Sequence, residues 1–240
     1  MELATKKVAP DWQPLLAKAM VHLSPDYLAA LNQTDWLPGP DKLFNAFSLP
    51  LKETRYILFG EGPYPRKDSA TGYAFIDGAV THLWSATGLS KQVNRATSLR
   101  NIIKLLLRAD GQLDASDTSQ SAIAALDKTN LIQTLQALQQ NLLINGVLLL
   151  NASLVFSTKQ RVKTDARHWL PFIEELLGQL ADQEITLIFW GKIAGVIKSL
   201  PAARDFKCIE AEHPYNLSLI ENLTMHHLFT PMKLLQKRGQ

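Results

Sequence analysis

Residues 55–77, RYILFGEGPYPRKDSATGYAFID, open on a short apolar run with β-branched Ile57 near its centre and then break at once into Gly60, Glu61, Gly62, Pro63, Tyr64 and Pro65. A buried strand ending in a tight turn that exposes its backbone reads this way. The two glycines let a main chain approach a ligand closely, and the two prolines fix the turn around Tyr64. The Gly60-Glu61-Gly62 start lacks the third glycine of a dinucleotide loop, and the prolines spoil the turn into a helix, so that reading is rejected.

Upstream, residues 8–31 suggest two short helices, one starting at Pro10-Asp11 and one capped at Ser24-Pro25-Asp26. Residues 36–50, with prolines and glycines among scattered aromatics, read as a loop into the strand. Downstream, residues 82–94 are irregular and polar. Ser98 is expected to cap a helix, SLRNIIKLLLR, that buries Leu99, Ile102, Ile103 and Leu106 on one face. Residues 109–127 read as a surface excursion and 131–143 as a helix. The apolar run 147–150 is stopped by Asn151, and a helix over 169–180 precedes ITLIFWGK, a second apolar strand that stops at Gly191. A last short strand, 206–209, stops at Glu210 and leads to His213.

Strands alternating with helices predict an α/β domain with a four-stranded parallel sheet, and strands apolar at every position predict helices on both faces. Ligands of such folds bind beyond the carboxyl ends of the strands. The strand ends supply Glu61 with Tyr64, Asn151, Gly191 with Lys192, and His213, one polar group or pair per strand at one edge of the sheet.

With 240 residues, 46% hydrophobic, and no conspicuous linker, the chain is expected to form a single domain, 1–240. Cys208 is the only cysteine, which excludes intramolecular disulfides, CxxC metal knuckles and cysteine-ligated iron–sulfur clusters and fits a reducing cytoplasm. The first twenty residues lack the sustained apolar core of a leader, and no run reaches membrane-spanning length. The expectation is an unprocessed cytoplasmic protein with no membrane partner. A net charge of +3 and a pI near 8.9 are compatible with a polyanionic partner. The six histidines show no ligand spacing, so neither a metal site nor a cofactor is expected.

The motifs GEGPYP, GYAF, SLRNIIK, LLLNAS, IFWGK and HPYNLS, in that order, resemble the uracil-DNA glycosylase family, and specifically its family 1 branch, whose motifs run GQDPYH, GLAF, SLKNIFKEL, LLLN, LLWG and HPSPLS. The resemblance spans residues 57–235. It implies a three-layer α/β/α fold and a monofunctional, monomeric DNA glycosylase. Such an enzyme flips a pyrimidine out of DNA and hydrolyses its N-glycosidic bond, leaving an abasic site for base excision repair. By the resemblance Phe75 stacks on the flipped base, Asn151 reads its hydrogen-bonding edge, and Tyr64 stands against C5. Gly60 and Gly62 form the backbone of the base pocket, and His213 supports the base O2 as negative charge builds there. Leu217 is the wedge that fills the vacated stack, while Ser98 and Ser218 grip flanking phosphates.

The chain departs from the family in places. Gly62 stands where the family has the aspartate that orients the attacking water, and neighbouring Glu61 is the candidate replacement. Pro65 replaces a histidine, Tyr215-Asn216 replace the Ser-Pro of HPSPLS, and Lys192, counted with the DNA-contacting residues, replaces a small residue. Uracil is the default base. Loss of side chains at 62 and 65 makes a modified pyrimidine, such as the hydroxymethylated or glucosylated cytosine of phage DNA, the variant substrate, with a place in antiviral defence. The competing readings are a catalytically impaired DNA-binding relative and an unrelated nucleotide-binding α/β enzyme.

Overall fold

The structure, a computed structural model, describes residues 7–238. The expectation of a chain without a leader therefore falls in part on residues 1–6, outside the described residues. In chain order the strands are β1 (Tyr56–Gly60), β2 (Trp84–Ser85), β3 (Gly88–Leu89), β4 (Val147–Asn151), β5 (Thr186–Trp190) and β6 (Lys207–Ala211). The helices are α1 (Gln13–Met20), α2 (Pro25–Leu31), α3 (Lys91–Arg95), α4 (Thr97–Ala109), α5 (Gln120–Ala125), α6 (Leu135–Ile144), α7 (Val162–Gly178), α8 (Ile193–Lys198) and α9 (Leu223–Phe229). Among the described residues no helix is long and apolar enough to cross a membrane. The described residues form two compact units, 7–78 with 146–209, and 79–145 with 210–238.

The first unit is built on the sheet, in the order β4-β1-β5-β6, with β1 parallel to both β4 and β5. β4, apolar up to its last residue Asn151, is buried throughout, and β1 and β5 are buried at all but their first residues, because helices cover a parallel sheet. Phe59 stacks on Phe189 across the β1–β5 pair at a centroid distance of 5.6 Å. The register matters most at the strand ends, where Gly60 is the partner of Asn151. The pairing runs on past the strands, with Ala152 N–H donating to Gly60 O (2.8 Å) and Ser153 N–H to Glu61 O (3.1 Å).

An aromatic cluster joins the N-terminal segment to α7. Trp12 packs edge-on to Phe47 (5.1 Å), Phe44 lies against Phe172 (6.3 Å), and Trp169 against Phe172 (5.2 Å). The Trp12 indole N–H donates to Leu49 O at 2.7 Å, so a fully buried ring keeps its polar atom satisfied. Nearby, fully buried Asp165 accepts from Ser157 Oγ (2.6 Å), Ser157 N–H (2.9 Å) and the Tyr27 hydroxyl (3.2 Å). Burial, followed by the charge of Asp165, pushes the Tyr27 phenol well above its ordinary range.

The second unit is organised by α4, whose Leu99, Ile102, Ile103 and Leu106 are all buried. Buried Asn141 of α6 donates to Leu234 O (2.8 Å) and Gln236 O (3.0 Å), and Ile132 N–H donates to Leu235 O (2.8 Å), which ties down the C-terminal segment. Arg108 forms a paired contact to Glu221, with Nη2 to Oε2 at 2.9 Å and Nε to Oε1 at 3.0 Å.

Several sequence expectations need correction. Ser98 does not cap α4: the helix starts at Thr97 with Ala96 as its cap residue and no side-chain cap bond, because α3 ends immediately before it. Residues 82–94 hold the β2–β3 hairpin and α3, and residues 109–127 hold α5, capped by Ser119 onto Ala122 N–H. α6 starts at Leu135 rather than residue 131, since Leu131 and Ile132 are engaged with the C-terminal segment. α7 starts seven residues before the expected 169. Its buried face there is carried by a carboxylate, Asp165, which hides the apolar period. The last strand is Lys207–Ala211, partly exposed as an edge strand can be, and not uniformly apolar.

Asp165→Ala should lower stability by about 3 kcal/mol, since it strands buried donors, whereas Tyr27→Phe should cost about 1 kcal/mol by removing one long bond. Urea unfolding midpoints followed by tryptophan fluorescence check both; equal effects would mean that the Ser157 bonds contribute nothing.

Candidate functional site

In the first unit the sequence-predicted residues gather at the carboxyl end of the sheet. Asn151, the last residue of β4, is only 4% exposed. A Cβ added at its partner Gly60 would lie 2.5 Å from Asn151 Oδ1 and 2.8 Å from Ala74 Cβ, so the carboxamide occupies space that only a glycine leaves open. Ala74 N–H donates to Leu149 O (3.1 Å), fastening the GYAF segment to β4. The next residue, Phe75, has φ 62°, a conformation that a bulky side chain adopts only when its surroundings impose it. Its ring meets Trp190 of β5 edge-on at 4.9 Å.

The loop after β1 carries Glu61, Gly62 and Tyr64. Glu61 and Gly62 are exposed and, with Ser153, Phe156 and Val162, line a cleft of about 180 Å³. A Cβ at Gly62 would meet only Ser153, at an ordinary 3.6 Å, so the missing side chain reflects the sequence rather than lack of room. Tyr64 is half-buried, and burial, then the negative charge of Asp77, push its phenol up to about 12 against the opposing Arg66. Arg66 lies 3.4 Å from buried Asp77, which anchors the turn behind Tyr64. Lys192 is exposed, two residues beyond β5 at the start of α8.

The second unit carries His213, Leu217, Ser218 and Ser98. The Nδ1 of His213 accepts from Tyr215 N–H at 3.1 Å, and Asn216 N–H donates to His213 O at 2.8 Å. With Nδ1 used as an acceptor, the neutral ring carries its proton on Nε2, a donor available to an electron-rich oxygen. Fully buried Asn101 of α4 braces the same loop, donating to Pro214 O at 2.7 Å and to Tyr215 O at 3.5 Å. Leu217 is 66% exposed, while Leu219 and Ile220 just after it are buried. Burial alone would raise the Glu212 carboxyl, but bonds from its own backbone, Ser218 and Asn222 hold it below the usual range. Ser98 is half-buried on the first turn of α4.

The sequence reading missed Ser153, Trp190, Asp77 and Asn101. Asn101 left a signal, an amide among the apolar positions of SLRNIIK. The other three are contacts that only the fold creates.

No protein-family model matches the chain. It is similar to the wild-type UNG of Nitratifractor salsuginis, known from a crystal structure, at 46% identity and a TM-score of 0.94, covering 98% of this chain and 96% of that one. The uracil-DNA glycosylase of Campylobacter jejuni is 26% identical over 243 residues, 98% of this chain and 92% of that protein. The uracil-DNA glycosylase of Lactococcus lactis is 28% identical over 228 residues, 92% and 90%.

Two expectations follow from the geometry. Gly60→Ala should destabilise the fold by about 1–3 kcal/mol through overpacking against Asn151 and Ala74, while Gly62→Ala should leave the melting temperature unchanged. Equal melting temperatures for the two variants would mean that the Asn151 amide is free to move. The Tyr64 phenol is raised from 10.0 to about 12, so its protonated form contributes stability in full below pH 10 that is lost as pH rises towards 12. Unfolding midpoints across that window should fall less in Tyr64→Phe than in the wild type; parallel curves would place the ring in solvent.

Proposed function

The chain belongs to the uracil-DNA glycosylase superfamily and is a DNA glycosylase, a hydrolase of the N-glycosidic bond, and on that footing we propose that the base it removes from DNA is uracil. The observation that carries uracil over a larger base is Tyr64, whose ring is held half-buried in the loop rather than free in solvent. A ring in that place leaves little room for a substituent on C5 of a pyrimidine. In this reading the nucleotide is extruded from DNA, since the bond to be cut is inaccessible within the stack. Phe75 stacks on the base, and the Asn151 amide, which offers both donors and an acceptor, reads its edge.

As the glycosidic bond breaks, electrons pass to the base and positive charge develops on the sugar. The Nε2–H of His213 donates to the base oxygen that gains charge, a preorganised donor aimed at the transition state. Water then adds to the sugar carbon, and the proton it loses passes through the Glu61 carboxylate to the released base anion, which leaves neutral. With Gly62 in the usual aspartate position, the Glu61 carboxylate at the mouth of the cleft takes over water orientation and sugar-cation stabilisation. Leu217 fills the vacated stack, and Ser98, Ser218 and Lys192 hold the DNA backbone. The enzyme works in the cytoplasm as a monomer without a cofactor, in repair of DNA.

The second reading, a modified pyrimidine, is favoured by the open cleft beside Gly62. Incubation with uracil-containing oligonucleotides, and separately with hydroxymethylated and glucosylated phage DNA, followed by alkaline cleavage of abasic sites, separates the two. Breaks at uracil are expected; breaks confined to phage DNA select the modified base, and no breaks with DNA binding intact select the impaired relative.

Glu61→Gln should abolish excision at neutral pH with DNA affinity intact, since charge is lost and shape is kept. Gly62→Asp should raise uracil excision, because a carboxylate under the sugar stabilises the transition state more than the ground state. Full activity in Glu61→Gln would remove Glu61 from the mechanism. His213→Ala should slow single-turnover excision roughly a hundredfold.

A further inference from the structure

Large exposed apolar side chains are scattered over this protein, at Val21, Ile144, Val162, Val196 and Leu223 among others, and such singletons need no explanation. Tyr215 differs. Its ring is 68% exposed, two residues from the 66% exposed Leu217, on a loop whose backbone is held from both sides. Tyr215 N–H is spent on His213 Nδ1, and the carbonyls of Pro214 and Tyr215 both accept from the buried amide of Asn101. Asn216, between the two apolar side chains, is exposed as well, and its N–H donates to His213 O at 2.8 Å, closing a turn over residues 213–216 that leads straight into the 3-10 turn Leu217–Glu221. A rigid loop that keeps an aromatic and an aliphatic side chain in water, with adjacent Pro214, Leu219 and Ile220 all buried, is poised for a partner.

We propose that Tyr215 is a base-stacking residue that, beside Leu217, clamps the nucleobase flanking the extruded one. The inference rests on the reading of Leu217 as the wedge. A serine here, as in the HPSPLS motif, can only hydrogen-bond; the phenol ring offers a face that any base can stack on. Part of the grip on DNA thereby moves from phosphate to base, and such a clamp works on single strands as well as on duplexes.

The test measures binding of an oligonucleotide carrying a tetrahydrofuran abasic analogue, single-stranded and duplex, to the full chain and to Tyr215→Phe, Tyr215→Ala, Tyr215→Ser and Leu217→Ala. Tyr215→Ala and Tyr215→Ser should each weaken binding about tenfold, while Tyr215→Phe stays within about twofold of the wild type. The slope of log affinity against log salt should be the same in the wild type and its three Tyr215 variants. Fluorescence of 2-aminopurine placed beside the abasic analogue should be quenched by the wild type and by Tyr215→Phe, and by neither Tyr215→Ala nor Tyr215→Ser. Wild-type affinity in Tyr215→Ala, with Leu217→Ala impaired, overturns the clamp and leaves the glycosylase reading standing. Loss in Tyr215→Phe equal to that in Tyr215→Ala, with a salt slope about one lower, overturns it in favour of a phosphate contact by the hydroxyl. A wild-type protein that neither binds this DNA nor excises uracil overturns the functional reading, and the clamp with it.

Discussion

The pairing of Gly60 with Asn151 on the last rung of β1 and β4 constrains the other strand-end residues of the first unit. Parallel pairing fixes which residues end level with each other, and here it sets a residue without a side chain beside a carboxamide. The Asn151 amide fills the space where a Cβ of Gly60 would be, and Ala74 closes that space from the other side. From this packing follow the anchoring of Ala74 to Leu149, the left-handed backbone at Phe75 and the approach of its ring to Trp190. The strain at Phe75, of order 1–3 kcal/mol, is borne because the neighbouring hydrogen bonds over-determine the segment.

Buried amides and one buried carboxylate do comparable work elsewhere. Asn101 fixes the His213–Leu217 loop, Asn141 fixes the C-terminal segment, and Asp165 gathers the Ser157 turn and Tyr27 onto α7. Asn101 and Asn141 bind irregular chain to helices through backbone carbonyls, and Asp165 does so through the backbone N–H and hydroxyl of Ser157. An unpaired buried polar group costs more than a formed bond returns, so these contacts specify one conformation more than they add stability.

Electrostatically the two ends of the proposed reaction are treated differently. His213 is preorganised: a backbone N–H occupies Nδ1 and directs the ring proton to Nε2. The carboxylate side is not. Glu61 is exposed at the rim of a cleft, and Gly62 brings no side chain although the space accepts one. On the proposed reading, leaving-group support rests on a ring whose proton the fold directs, whereas sugar-cation stabilisation rests on an exposed side chain.

The sequence by itself determined the class of fold and pointed to the candidate site, because these depend on local signals. Unbroken apolar runs at 57–59, 147–150 and 187–190 mark buried strands, and the glycines, prolines and Asn151 after them mark the candidate edge. The ordered motifs carried the glycosylase resemblance. The sequence did not reveal the early start of α7, the hairpin at 84–89 or α5, since Asp165 stands at a core position where the period expects an apolar residue, and the others are too short to develop a period. Only the tertiary structure decided that Ser98 lies inside α4, that Gly60 must lack a side chain while Gly62 need not, and that Tyr215 stands in solvent on a braced loop. Those facts arise from contacts between residues far apart in the chain, such as Gly60 with Asn151 and Asn101 with Pro214, and no local pattern records which distant atoms will share the same few ångströms.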